Sequence, residues 1–345
     1  MKLKSNILIL LFSALASISF AQETQIKGFN DVQVGNLSVP GGTTQGFAAG
    51  QFDLFITSRI NDNTSFLAET VFEWDSENNT WVIDVERVIA RYSFSNTVNL
   101  SAGKFHTPFG YWNNAYHHGA LIQPTIQRPN IVRFEDEGGF LPIHQVGLQF
   151  DGTFASKLNL GYNVMVSNGQ SQGNSGGTFD RKGSMALNWS VNMEPIDGLK
   201  FIVSGLSNRI PAGSTTYQNV VLAEDSFYQM YNASVAYFLG SLPLELCAEY
   251  YNVSNQMTTS GTTRLNGFFG YIGFNKYKII PYAVYNNIRF QQGEKFFEKN
   301  DLDGITGGLR YSISPKAIVK LEYSQETTQF LGTQDLIRAQ FAIGF

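Results

Sequence analysis

The segment Leu336–Phe345, LIRAQFAIGF, decides the fold: Ile337, Ala339, Phe341, Ile343 and Phe345 alternate with Arg338, Gln340, Ala342 and Gly344. Successive side chains of a strand point to opposite faces, so one face here is apolar and the other polar or small. A strand that is apolar outward and polar inward, repeated in ~10-residue segments between turns, is the pattern of a β-barrel that crosses a membrane.

The pattern recurs upstream. Val98, Leu100 and Ala102 alternate with Asn99 and Ser101, and Val146, Leu148 and Phe150 with Gln145, Gly147 and Gln149. Leu160, Tyr162 and Val164 alternate with Gly161 and Asn163, and Met185, Leu187 and Trp189 with Ala186 and Asn188. Candidate strands fall near 25–34, 46–60, 63–74, 80–95, 97–105, 143–151, 157–167, 181–193, 198–208, 225–239, 243–254, 264–275, 277–289, 303–313, 316–327 and 334–345. They number about sixteen, an even count as bacterial barrels require. The expected fold is all-β, a transmembrane antiparallel barrel of about sixteen strands with a long third external loop.

The connections give an independent check. Short turns near Asn61–Asn63, Ser95–Asn96, Gly152–Ser156, Glu194–Asp197, Gly240–Leu242, Asn275–Lys276 and Ser314–Pro315 fall at every second position. Connections between them are expected to be longer, as at Ser167–Asp180 and Arg209–Glu224. Short turns at one rim and long loops at the other are the rule for outer-membrane barrels.

Composition agrees. Aromatics reach 14 % and charged residues only 15 %, against ~25 % charged in soluble domains. With 28 Phe, 16 Tyr and 33 Gly, this suits an exterior that meets lipid between aromatic girdles. Lys2 and Lys4 precede an apolar run from Ile7 to Leu15 and small residues ending at Ala21, which reads as a secretory signal peptide over 1–21. The mature chain, 22–345, is then a single barrel domain of a Gram-negative outer membrane. Without Lys2 and Lys4 the net charge of −4 becomes −6, which excludes the basic footprint of a nucleic-acid binder. The one cysteine, Cys247, reads as a small packed side chain of a strand.

The connection from His106 to Pro142 is the longest, and a long irregular stretch in a compact domain is usually functional. Phe109, Trp112, Ile126, Ile131, Val132 and Phe134 are too apolar for a solvated flap and need a surface to pack on. Prolines 108, 124, 129 and 142 stiffen the path. The loop is expected to fold inward and narrow the channel; docking on a neighbouring subunit of a homotrimer is the alternative. Arg128, Arg133, Glu135, Asp136 and Glu137 would then face the opening as a constriction with a transverse field.

Three features resemble outer-membrane porins: the strand count, the long third loop, and Phe345 closing an alternating strand. GKFHTPFGYWN (Gly103–Asn113) and RPNIVRFEDEGGFLPIHQVGLQF (Arg128–Phe150) also look like the central region of barrels near the phosphate-selective O/P-type porins. The arginine ladder of the phosphate porins has no counterpart in this sequence. The resemblance implies an inward third loop, a terminal Phe345 read by the barrel-assembly machinery, and outer-membrane lipid and lipopolysaccharide as surroundings. It also implies passive diffusion of small hydrophilic solutes without cofactor or enzymatic activity. The alternatives are a channel selective for anions or small sugars, with Tyr111, Trp112 and Tyr116 stacking on sugar faces, and a plugged structural or adhesive barrel.

Strand parity places Arg59, Arg87, Arg91, Lys157, Lys182, Lys200, Arg264, Lys278, Arg310, Lys320 and Arg338 toward the lumen. Asp53, Glu69, Glu73, Asp151, Glu245, Glu249, Glu322 and Glu326 share it. Such a balanced wall tunes ion preference mildly, with Arg87 and Arg91 as pore-lining candidates, or its charges pair across strands. The carboxylates Glu135–Glu137 lack the spaced ligands of a calcium loop, and the adjacent His117 and His118 lack metal-pair spacing. His144 carries outward parity and reads as a polar group at the lipid rim. No metal site is expected.

Overall fold

The computed structural model describes residues 23–75, 80–116, 119–135, 139–169, 185–216, 220–238, 241–294, 296–297 and 300–345. The signal-peptide expectation for 1–21 lies outside them, as do His117, His118, Asp136, Glu137 and Lys182.

Among the described residues sixteen strands run in order: β1 (Glu23–Val39), β2 (Gly42–Arg59), β3 (Thr64–Asp75), β4 (Thr80–Ser95), β5 (Val98–His106), β6 (His144–Phe154), β7 (Leu160–Asn168) and β8 (Met185–Ile196). They continue as β9 (Leu199–Ile210), β10 (Ser226–Tyr237), β11 (Leu244–Met257), β12 (Gly261–Phe274), β13 (Ile279–Phe290), β14 (Leu302–Ser314), β15 (Ala317–Thr328) and β16 (Gly332–Gly344). Each pairs with its sequence neighbours, and β1 pairs with β16 to close the barrel. Closure leaves no edge strand, the condition for a sheet to stand in lipid.

Register explains the apolar exterior. Phe341 lies opposite Val32 of β1 and Val319 of β15, and Ala339 opposite Val34 and Leu321. Apolar side chains thus line up across three strands on the outer face. Phe341 and Ile343 are 43 % and 47 % exposed, whereas the alternating Gln340 and Ala342 are buried inward. The alternation read at the C-terminus is therefore the alternation between lipid and lumen.

Two expectations need correction. The first outward connection is a tight turn at Pro40–Gly41, because β1 and β2 have 17 and 18 residues, well beyond the 9–11 that cross a bilayer. The pairs Gly35↔Gly46, Leu37↔Thr44 and Val39↔Gly42 continue the ladder through a polar, Gly-rich stretch without an apolar face to announce it. The turns β11–β12 and β15–β16 have only three residues each, so outward connections are not uniformly long. Arg264 is the second correction: it shares the outer face of β12 with Phe268 and Ile272, while Thr263, Leu265 and Phe269 are buried on the inner face.

The lumen is not polar throughout. Leu206, Tyr228, Met230, Tyr251, Leu265 and Phe269 of the inner wall join one buried apolar cluster with residues of the long loop. The barrel's core therefore sits inside it, on the β9–β14 side.

Candidate functional site: an infolded loop across the lumen

The loop leaves β5 at Thr107 and returns to β6 at Ile143. Its root is clamped by the Thr107 N–H donating to the Ile143 carbonyl at 2.8 Å and by Thr107 Oγ1 donating to the Pro142 carbonyl at 2.7 Å. Beyond the root the chain turns inward through Gly110, whose φ is +68°. A Cβ there would lie 2.3 Å from Glu249 Oε2 and 2.2 Å from the Tyr251 hydroxyl, so only glycine fits against this wall. One helical turn follows, α1 (Trp112–Ala115). Its first N–H, from Trp112, donates to Glu249 Oε1 at 2.6 Å, and the indole packs on Phe269 and Tyr271.

The loop then crosses to the opposite wall. Lys320, fully buried on β15, donates to the carbonyls of Ala120 at 2.7 Å and Thr125 at 3.0 Å. The Ile126 N–H donates to Glu322 Oε2 at 2.9 Å, and Arg338 of β16 donates to Gln127 Oε1 at 2.8 Å. The Asn130 N–H, opening a short 3-10 turn over Asn130–Val132, donates to Asn286 Oδ1 at 3.2 Å. Buried backbone groups must be paired, and here charged wall residues pair those of the loop. Ile131, Val132, Phe134 and Leu141 meanwhile bury their side chains in the apolar cluster. The inward fold expected from composition is what the structure shows.

Two cavities flank the loop. One, of about 460 Å³, is lined by Asp31, Gln33, Glu73, Arg133 and Arg338 together with Gln127 of the loop. The other, of about 430 Å³, is lined by Arg91, Tyr111, Asp151, Tyr162, Asn192 and Lys200. Charges of both signs face these spaces, and the inward charges of the barrel wall are often paired, at the cavities and beyond them. Arg91 holds Asp151 through two hydrogen bonds of 2.9 and 2.6 Å, Arg87 pairs with Glu69, and Arg310 meets Glu245 at 2.6 Å. Arg338 lies 3.8 Å from Glu322, and Arg133 3.8 Å from Glu326. Cross-strand pairing, the blander of the two readings of the lumenal charges, describes these residues.

Several sequence candidates occupy other places than expected. Arg133 and Arg128 both line the first cavity, but Arg128 is largely buried: it donates to the carbonyls of Val132 at 2.8 Å and Tyr116 at 3.1 Å and lies 4.2 Å from the Phe134 ring centroid. Arg128 therefore braces the loop while bordering the cavity. Glu135 does not face the opening; it accepts hydrogen bonds from the backbone N–H and Nδ1 of His144 at 2.8 and 3.1 Å. His144 is correspondingly no rim group meeting lipid, because it is buried between Glu135 and Glu86. Trp112, fully buried, cannot stack on a sugar, and Tyr111 stacks on Phe238 with planes 4° apart. Lys157 sits in an exposed turn. Phe345 exchanges backbone hydrogen bonds with Gly28, and its ring stacks on Phe52 at 6.2 Å, so it closes the β1–β16 seam. Sequence parity placed Glu249, Lys320 and Glu322 in the lumen, but nothing local marked them as anchors of the loop.

Fold and infolded loop together make a closed antiparallel β-barrel with its long loop laid across the lumen. No protein-family model matches the sequence, and no curated protein matches it. Among solved structures the chain is similar to the anion-selective porin from Comamonas acidovorans, with a TM-score of 0.66 at 10 % identity over 94 % of this chain and 100 % of that one. It is similar to the outer membrane channel DcaP of Acinetobacter baumannii, with a TM-score of 0.64 at 10 % identity over 95 % and 99 %. It is also similar to the trimer form of OmpT, an outer membrane protein of Vibrio cholerae, with a TM-score of 0.63 at 12 % identity over 94 % and 99 %. At these identities the likeness is one of fold.

Proposed function

We propose that this protein is an outer-membrane channel of a Gram-negative bacterium through which small hydrophilic solutes diffuse passively, with the loop 107–143 as its constriction. One observation carries the reading: the loop is tied to both walls, at Glu249 and at Lys320 and Glu322, and leaves a polar space on either side. Such a chain needs no cofactor and carries out no bond chemistry. Residues 1–21 act as the export signal, and Phe345 is the residue the assembly machinery reads. Because the lumenal charges are largely paired, the channel discriminates weakly by charge, which argues against a dedicated anion or sugar pore. A neighbour of the same fold is described as a trimer, and a homotrimer is the assembly proposed here. The apolar cluster filling the β9–β14 side favours the plugged-barrel reading as the rival. Single-channel recording of the purified protein in planar bilayers tests the choice. Stable ohmic steps with a small reversal potential in a salt gradient support the channel; no conductance from a folded, inserted barrel supports the plug.

A further inference from the structure

At the root of the long loop, three residues from consecutive strands converge. Glu86 of β4, His106 of β5 and His144 of β6 bring a carboxylate oxygen and two imidazole nitrogens within 4.8 Å of one another, and all three side chains are buried. The sheet itself assembles them. His106 and His144 are direct partners across β5 and β6, with rings 5.5 Å apart. Glu86 is the extra residue of a bulge, between Arg87 opposite Glu69 and Val85 opposite Thr70, and bulges re-aim side chains.

The surroundings are those of a cation site. Glu135 takes the Nδ1 side of His144 at 3.1 Å and the His144 backbone N–H at 2.8 Å. A carboxylate behind an imidazole in this way fixes the tautomer and turns the other nitrogen outward as a ligand. That nitrogen, Nε2, lies 2.5 Å from Glu86 Oε2. Glu69 stands 3.8 Å from His106 Nε2. Asp53 is an independent sign: it is wholly buried, neither carboxylate oxygen is hydrogen-bonded among the described residues, and Glu69 and Glu86 are among its charged neighbours. Carboxylates buried in such number need a positive counterpart wherever they are ionised. Arg87, paired with Glu69, supplies part of it.

We propose that Glu86, His106 and His144 bind a divalent first-row transition cation of the zinc type, with Glu135 as the carboxylate that orients His144. Two imidazoles and a carboxylate suit such an ion, whereas calcium and magnesium take oxygen shells. Three protein ligands leave a fourth tetrahedral position for water. The ion takes the place of the proton shared between Glu86 and His144, and it ties β4, β5 and β6 together where the loop departs. The site stands independently of the channel reading.

The test uses the full-length barrel without a histidine tag, stripped with a chelator and titrated with Zn²⁺ by equilibrium dialysis. One tight ion per chain is expected, with Co²⁺ giving the visible absorption of a four-coordinate centre. His106→Ala and His144→Ala should each weaken binding at least about 100-fold, and Glu135→Gln about 10- to 100-fold. His117→Ala/His118→Ala should leave binding unchanged. Heat-modifiable mobility identifies folded protein, and Glu135→Gln carries the test if a histidine variant does not fold. The proposal is overturned by a folded wild-type barrel that takes up no stoichiometric zinc. It is equally overturned by zinc binding that survives in folded His106→Ala and Glu135→Gln barrels or that depends on His117 and His118.

Discussion

The backbone N–H of Trp112 and the Glu249 carboxylate, 137 residues apart in the chain, meet at 2.6 Å inside the barrel. Glu249 also accepts from the Tyr251 hydroxyl at 2.6 Å and Ser234 Oγ at 2.9 Å, so one buried carboxylate fixes α1 to two strands. Hydrogen bonds to a charged group contribute about 1.5–3 kcal/mol each. Glu249→Gln keeps the volume and removes the charge, and it should loosen the loop without unfolding the barrel. The expected result is increased open-channel current noise at unchanged mean conductance. Noise equal to wild type would mean that this tether does not hold the loop.

Arg87 and Arg91, alike in the sequence, should behave differently. Arg91 and its partner Asp151 line a cavity and are partly exposed, so Arg91→Gln should leave an uncompensated carboxylate in the pore and shift the reversal potential toward cations. Arg87 neutralises Glu69, which is fully buried beside Asp53. Breaking such a pair costs on the order of 3–5 kcal/mol. Arg87→Gln should therefore lower the thermal transition of the barrel, read from its heat-modifiable mobility. Equal stability of the two variants would contradict this assignment.

Deleting Phe345 should reduce the amount of folded barrel. Its N–H and C=O bond to Gly28 at 3.0 and 3.4 Å, and a Cβ on Gly28 would lie 2.6 Å from the Phe345 ring. Removing the residue unpairs the seam in lipid, where unpaired backbone groups are costly. Wild-type levels of membrane-inserted protein after the deletion would rule out this role.

How much of this was legible in the sequence depended on whether lipid imposed the pattern. β4 spans Thr80–Ser95 as read, since Val88, Ala90 and Tyr92 mark the outer face. The hairpin around Pro40–Gly41 was missed because its ends run past the bilayer and carry no apolar face. The loop's inward path was legible from its own apolar residues. Its anchors were not: Ile126 and Glu322, or Ala120 and Lys320, are about 200 residues apart, and only barrel closure brings them together. For the same reason Glu86, His106 and His144 look unrelated in sequence, and parity alone misplaced His144.

The outer loops offer a pH test. Glu224, between β9 and β10, accepts from Thr259 Oγ1 at 2.5 Å and is also bonded by Ser260 Oγ and the Thr259 N–H on the β11–β12 turn. These donors, the Ser260 hydroxyl foremost, hold its carboxyl down from the ordinary 4.5 to about 2. A depressed carboxylate stabilises the fold above its unfolded pKa, and the contribution is lost as pH falls through the folded one. The tie between the two loops should hold at pH 7, weaken below about pH 4.5 and vanish near pH 2. Glu224→Gln should speed amide exchange at Thr259 and Ser260 at pH 7, with the difference from wild type closing near pH 2. A difference independent of pH would exclude the carboxylate as the cause.

A loop that occupies and narrows the lumen widens the path when it is removed. Excising Gly119–Asn130 removes the contacts to Lys320, Glu322 and Gln127's bond to Arg338 while leaving α1 on Glu249. Single-channel conductance of this variant, measured on barrels that insert and migrate as wild type, is the most direct measurement. A clear rise in conductance with the oligomeric state retained is expected. Unchanged conductance from a correctly inserted barrel, with trimers lost, would contradict it and place the loop against a neighbouring subunit.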